Sequence, residues 1–127
     1  MVISTSEHVL ASDDNILAAC LMDDKFNMVE SAARDGFAQK FKITDDIEKS
    51  SSAWAAIMFG MAELTDSVFG KTRCVLVDHD FAKLLLLHVP PSGFVGLVLN
   101  RSANADYITL KVSTLLEPAE HDIARYA

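Results

Sequence analysis

The sequence predicts an α/β fold of the α+β kind, a three-layer α/β/α arrangement around one antiparallel sheet of five strands. Three observations carry that expectation. A long apolar helix reads across residues 45–70, two short apolar runs precede it, and three strand-like runs follow it with only a few residues between them. Connections that short force antiparallel neighbours, because a parallel crossover takes roughly a dozen residues or more.

Taken in order, residues 1–14 are mixed and polar, with only Val2, Ile3, Val9 and Leu10 able to pack. They predict a short strand, a single helical turn or a frayed start. Residues 16–22, ILAACLM, form a continuous apolar run between Asn15 and the turn at Asp23-Asp24-Lys25, as expected of a strand buried on both faces. Residues 26–33 read as its hairpin partner. Residues 34–42 then lead to the long helix through a loop anchored by Phe37 and Phe41.

The long helix is marked at both ends. Asp45 and Glu48 have the D-x-x-E spacing of an N-terminal cap, and Gly70 suits the left-handed residue that stops a helix. Between them Ile47, Trp54, Ile57, Met58, Met61, Leu64 and Val68 recur at helical spacing, a stripe expected to face the core. Ser52, Ala56, Phe59, Gly60 and Glu63 form a second ridge, small residues around one phenylalanine, over which another helix could come close. Residues 53–62 are apolar throughout, well short of the ~20 needed to cross a bilayer. Such a helix is expected to be covered on both sides.

Beyond Gly70, strands are expected over residues 72–77, 82–89 and 94–100, turning at Asp78-His79-Asp80 and at Pro90-Pro91-Ser92-Gly93. Leucines on both faces of residues 83–89 require cover on both sides of the sheet. A last helix starts after Asn104, a good cap, with Tyr107, Ile108, Val112, Leu115 and Leu116 on one face. Pro118 breaks or ends it, and residues 119–126 can add two short turns around Ile123. With both helices assigned to the sheet, the small-residue ridge is left for a second copy of the chain, the alternative being a helix of the same chain.

The 127 residues read as a single domain over 1–127, with a core at about 16–117. Eleven Lys and Arg against eighteen Asp and Glu give a net charge of -7 with no basic cluster, which argues against nucleic acid or an anionic membrane as partner. Cys20 and Cys74 lie in apolar runs without zinc-site spacing and read as buried, reduced thiols. Residues 1–10 lack the pattern of a signal peptide, so a cytoplasmic location is expected.

Three stretches point to a family: Ser50-Ser51-Ser52-Ala53-Trp54-Ala55-Ala56 at the head of the long helix, the hairpin from Lys83-Leu84-Leu85-Leu86-Leu87 through Phe94-Val95-Gly96-Leu97, and Leu115-Leu116-Glu117-Pro118. In these the chain resembles Roadblock/LC7 domains, of Ragulator type and of the bacterial GTPase-regulating type, over most of residues 16–117. The resemblance implies a roadblock/profilin-like fold. It also implies a dimer, a homodimer or a pair with another roadblock protein, made through the central helix and the edge strand after it. Carried over, these are Ser52, Ala56, Phe59, Gly60 and Glu63 with residues 71–78, among them Arg73, Val75 and Val77. A small Ras-like GTPase is the partner the family implies, and on the two-fold axis Glu48, Lys49, Glu63 and Asp66 would meet it unless they are ordinary solvated helix residues. The usual opening helix of the family is expected to be shortened or absent here.

No catalytic chemistry is legible. Gly70-Lys71-Thr72 lacks the earlier glycine of a phosphate-binding loop and leads out of a helix instead of into one. Asp78-His79-Asp80 reads as a solvated turn, not a metal site, because adjacent residues cannot close a coordination shell alone. His88 reads as a core or interface histidine, and no orienting group accompanies either cysteine. The expectation is a non-enzymatic dimeric adaptor or scaffold without cofactor that binds and regulates or positions a small Ras-like GTPase. The alternatives are a profilin-like small-molecule sensor and a light-chain adaptor of a motor complex.

Overall fold

The structure, a computed structural model, describes residues 4–89 and 93–116. The expected turn at Pro90-Pro91-Ser92, the break at Pro118 and the turns around Ile123 fall outside those residues, as do Val2 and Ile3.

Five antiparallel strands form one sheet in the order β2-β1-β5-β4-β3. They are β1 (Ile16–Met22), β2 (Met28–Ala33), β3 (Cys74–Asp78), β4 (Lys83–His88) and β5 (Phe94–Leu99). Helices α1 (Thr5–Ala11) and α5 (Ala105–Leu115) cover one face, and α3 (Asp45–Glu63) stands over the other. Two single turns, α2 (Phe37–Lys40) and α4 (Asp66–Phe69), flank α3.

The strand residues divide by alternation. Leu85 and Leu87 of β4, with Val95, Leu97 and Leu99 of β5, pack beneath Val9 of α1 and Ile108 and Val112 of α5. Leu86, Met22 and Phe94 face α3. Leucine on both faces of β4 therefore has the cover it demands. Asn104 caps α5 by accepting the N–H of Tyr107 at 3.0 Å.

The opening helix is present but short. Ser4 and Glu7 cap it reciprocally, Ser4 Oγ accepting the Glu7 N–H at 3.3 Å and Glu7 Oε2 the Ser4 N–H at 3.4 Å. Arg34 ties its far end down. The guanidinium donates to three carbonyls, from Nε to Ile16 at 2.8 Å and from Nη2 to Leu10 and Asp13 at 2.8 and 2.9 Å.

Four expectations are corrected. The long helix stops at Glu63, and Thr65 separates it from α4, so Gly70 (φ 89°) ends α4 and not the long helix. Its cap is Thr44, whose hydroxyl accepts the Ile47 N–H at 3.3 Å, while Asp45 is already helical. Cys74 is exposed, because β3 is an edge strand with little over it. The predicted core stripe of α3 is also divided. Ala55 and Phe59 are its buried residues, Ile47 and Trp54 keep to the sheet side but are only partly covered, and Ile57, Met61 and Leu64, with Val68 of α4, face away and are exposed. Helical spacing identifies a stripe of large apolar residues but not whether the chain's own sheet or another surface covers it. Here Phe26, Phe94 and Met22 pack on the sheet face under the C-terminal half of α3 and take Phe59 among them.

Candidate functional site

At its C-terminal half α3 is anchored through Phe59, which is 3% exposed. Its ring meets Phe94 edge-on at 4.9 Å and lies 6.3 Å from Phe26, which stacks on Phe94 at 4.0 Å. His88 joins this cluster 5.1 Å from Phe94 and 6.2 Å from Phe59, half-buried among aromatic rings. The turn before β2 delivers Phe26. Asp23 accepts the N–H groups of Lys25 and Asn27, each at 2.9 Å, and holds Phe26 at φ 65°, a left-handed conformation unusual for so bulky a residue. The Asn27 and Lys25 N–H bonds hold the Asp23 carboxyl below its ordinary pKa.

The opposite side of α3 is apolar and uncovered. Ile57, Met61 and Leu64 are 62%, 63% and 81% exposed, and Val68 and Phe69 of α4 continue the surface. Gly60 lies among them with nothing within 4 Å of where a Cβ would stand. Next to this surface β3 pairs only with β4, so its other edge has backbone groups unpaired among the described residues.

Of the predicted interface residues, Phe59 belongs to the chain's own core, and Ser52 and Ala56 are half-buried beside it. Gly60, Glu63 and Arg73 are exposed. Val75 and Val77 lie opposite Leu86 and Leu84 in the sheet and are half-buried on the α3 side. The four charged residues do not converge. Glu48 and Lys49 stand in the first turns of α3 and Glu63 at its end, about 22 Å away at 1.5 Å per residue. Asp66 is engaged locally, its carboxylate accepting the Thr72 hydroxyl at 2.6 Å and the Thr72 N–H at 3.1 Å.

Under the N-terminal half of α3 the sheet and helix do not meet. A cavity of about 560 Å³ separates them. Its floor combines short side chains, Ala18 and Cys20 of β1, Ser31 and Ala33 of β2 and Gly96 of β5, with Met22, Leu84, Leu86 and Val98 around them, and its roof includes Ile43, Ile47 and Trp54. At Gly96 an added Cβ would lie 2.9 Å from Cys20 Sγ, so a larger residue there must displace that side chain. Burial pushes the Cys20 thiol up, away from reactivity. Reading for large residues passed over this feature. Its signal was the period-two recurrence of small residues at Ala18 and Cys20, at Ser31 and Ala33, and at Gly96.

The remaining polar groups serve the fold. Asp78 pairs with Arg101 at 2.7 Å on the surface, an interaction of roughly 0–1 kcal/mol. Among the described residues no group of three His, Cys, Asp or Glu is placed to hold a metal ion, and no helix is long and apolar enough to cross a membrane.

An open five-stranded antiparallel sheet with one long helix on one face and shorter helices on the other defines the roadblock/profilin-like class of α+β folds. Within that class the chain has the Roadblock/LC7 fold. A Roadblock/LC7 domain from Streptomyces avermitilis superposes with TM-score 0.70 at 14% identity, over 96% of this chain and 93% of the other. MglB of Myxococcus xanthus matches with TM-score 0.60 at 16% identity, over 87% and 84%. MglC of the same organism gives 0.54 at 18% identity, over 88% and 92%. No family model and no curated protein matches the sequence.

Proposed function

We propose that the protein is a dimeric adaptor that binds a small Ras-like GTPase and regulates or positions it. The observation that supports this best is the uncovered apolar face of α3 and α4 beside the unpaired edge of β3. Contiguous exposed surface of large apolar residues marks an interaction site, and a bare strand edge invites a further strand. A second copy, or another roadblock protein, covers both at once. Ile57, Met61 and Leu64 then form the helix contact, Gly60 allows close approach, Glu63 and Arg73 lie at the rim, and Val75 and Val77 contribute backbone. Phe59 is not part of this contact.

The GTPase reading rests on the resemblance to roadblock proteins together with the shared fold. The net charge of -7 favours a partner with a basic surface. Glu63 at the end of α3 is the charged residue best placed to meet a partner on the dimer axis. Glu48 and Lys49 reach it only if the second copy brings the opposite end of its helix alongside. The protein acts without nucleotide chemistry of its own and in the cytoplasm.

Sedimentation tests the first step. Wild-type protein at tens of micromolar is expected to be dimeric, and Leu64→Asp monomeric with an unchanged circular dichroism spectrum. A wild-type monomer, or a variant that stays dimeric, overturns the interface. For the second step, the mass of a reconstituted complex should give two copies of this chain per GTPase.

A further inference from the structure

We propose that the cavity beneath the N-terminal half of α3 is a binding site for an apolar molecule whose polar end is uncharged or cationic. Its volume of about 560 Å³ lies in the range of small-molecule sites, roughly 300–1,000 Å³. The space is a half-open cleft, and its mostly apolar walls offer the water in it few partners.

The construction explains why the space persists. Phe59, seated on Phe94 and Phe26, props the helix at its C-terminal half. Toward the N-terminus the floor is lowered at Ala18, Ser31, Ala33 and Gly96, beside Leu84 and Val98, and the helix stands off it. Gly96 can be enlarged only if Cys20 Sγ gives way. Short residues on neighbouring strands thus keep one continuous hollow, and Ile47 and Trp54 partly cover it from above.

Charge selects the occupant. The polar groups around the cavity are the Ser31, Ser50 and Ser51 hydroxyls and the Glu48 carboxylate, and no Lys, Arg or His lines it. Lys49 lines the adjoining shallow hollow together with Asp45 and Glu48. An anionic head group would therefore face a carboxylate at the rim with no cation in the cavity to pair it. An alcohol can use the serines, and an amine can use Glu48 as well. The site does not depend on the dimer surface, which is carried by Ile57, Met61 and Leu64.

Trp54 is the only tryptophan of the chain and lines the cavity, so its emission reports occupancy directly. Wild-type protein is titrated with decylamine, decanol and decanoate below their micellar concentrations. The expected result is a saturable blue shift with the amine and the alcohol and at least tenfold weaker binding of decanoate. Ala18→Leu should weaken decanol binding at least tenfold without lowering the melting temperature, and Ala33→Leu serves as a second filling variant should the first fail to fold. Glu48→Gln should reduce the preference for amine over alcohol. No saturable shift with any probe, decanoate binding as tightly as decylamine, or undiminished decanol binding in a folded filling variant overturns the proposal. None of these outcomes bears on the oligomeric state, so the two readings fail separately.

Discussion

The two halves of the interval between α3 and the sheet are built on opposite plans. Around Phe59 the chain fills its own space, with Phe26, Phe94, Met22 and Leu86 in mutual contact. Around Trp54 it does not, since the sheet offers short side chains and the tryptophan remains 37% exposed. One helix therefore has a structural half and a half whose large residues await something else. The size of a side chain thus does not decide whether it is core. The depth of the opposing surface does.

Truncation at both ends sharpens this most. Phe59→Ala removes a fully packed ring and should cost about 3–5 kcal/mol in denaturant unfolding. Trp54→Ala should cost less, about 2–3 kcal/mol, since more than a third of its surface stays in water and no aromatic cluster holds the ring. Equal costs would erase the distinction. A smaller effect is expected at the floor, where Gly96→Ala brings a methyl against Cys20 Sγ and should destabilise by about 1–3 kcal/mol. The double variant with Cys20→Ala should recover much of that loss if the contact, and not strand propensity, is the cause.

The smallest effect is pH-dependent and confined to the filled end. Hydrogen bonding lowers the folded-state pKa of Asp23 from its ordinary 3.8, so the stability it contributes is complete above 3.8 and is lost as pH falls through the lower folded value. Melting temperatures of wild type and Asp23→Asn should therefore converge as the solution is acidified below 3.8. A difference that stays constant across that range would mean the turn holds Phe26 by shape alone.

The sheet, the body of the long helix and the start of α5 were legible because local chemistry writes them. ILAACLM, the leucines of β4 and the Asn104 cap each have one good structural solution. Ser4 and Glu7 carried an equally plain capping signal in a segment too short and polar to be recognised as a helix. The orientation of α3 was not legible. Ile57, Met61 and Leu64 have the spacing of core residues, and what distinguishes them from Phe59 is the surface on the far side of the gap, set by residues up to forty positions away along the chain. The cavity was hidden for the same reason. A hollow arises from the coincidence of Ala18, Ser31, Ala33 and Gly96 across three strands, and no single segment shows it.

The Arg34 clamp gives the first helix an unusual way of opening. Seven residues cannot sustain a helix in isolation. Yet the Leu10 carbonyl in its final turn, the loop after it and the first residue of β1 are all held by one side chain just after β2. Fraying of α1 from its C-terminal side therefore requires that Arg34 let go, which in turn loosens the β1–β2 hairpin. In amide hydrogen exchange the last turn of α1 should behave as part of the sheet's edge, with the protection of that hairpin, and Arg34→Met should uncouple the two.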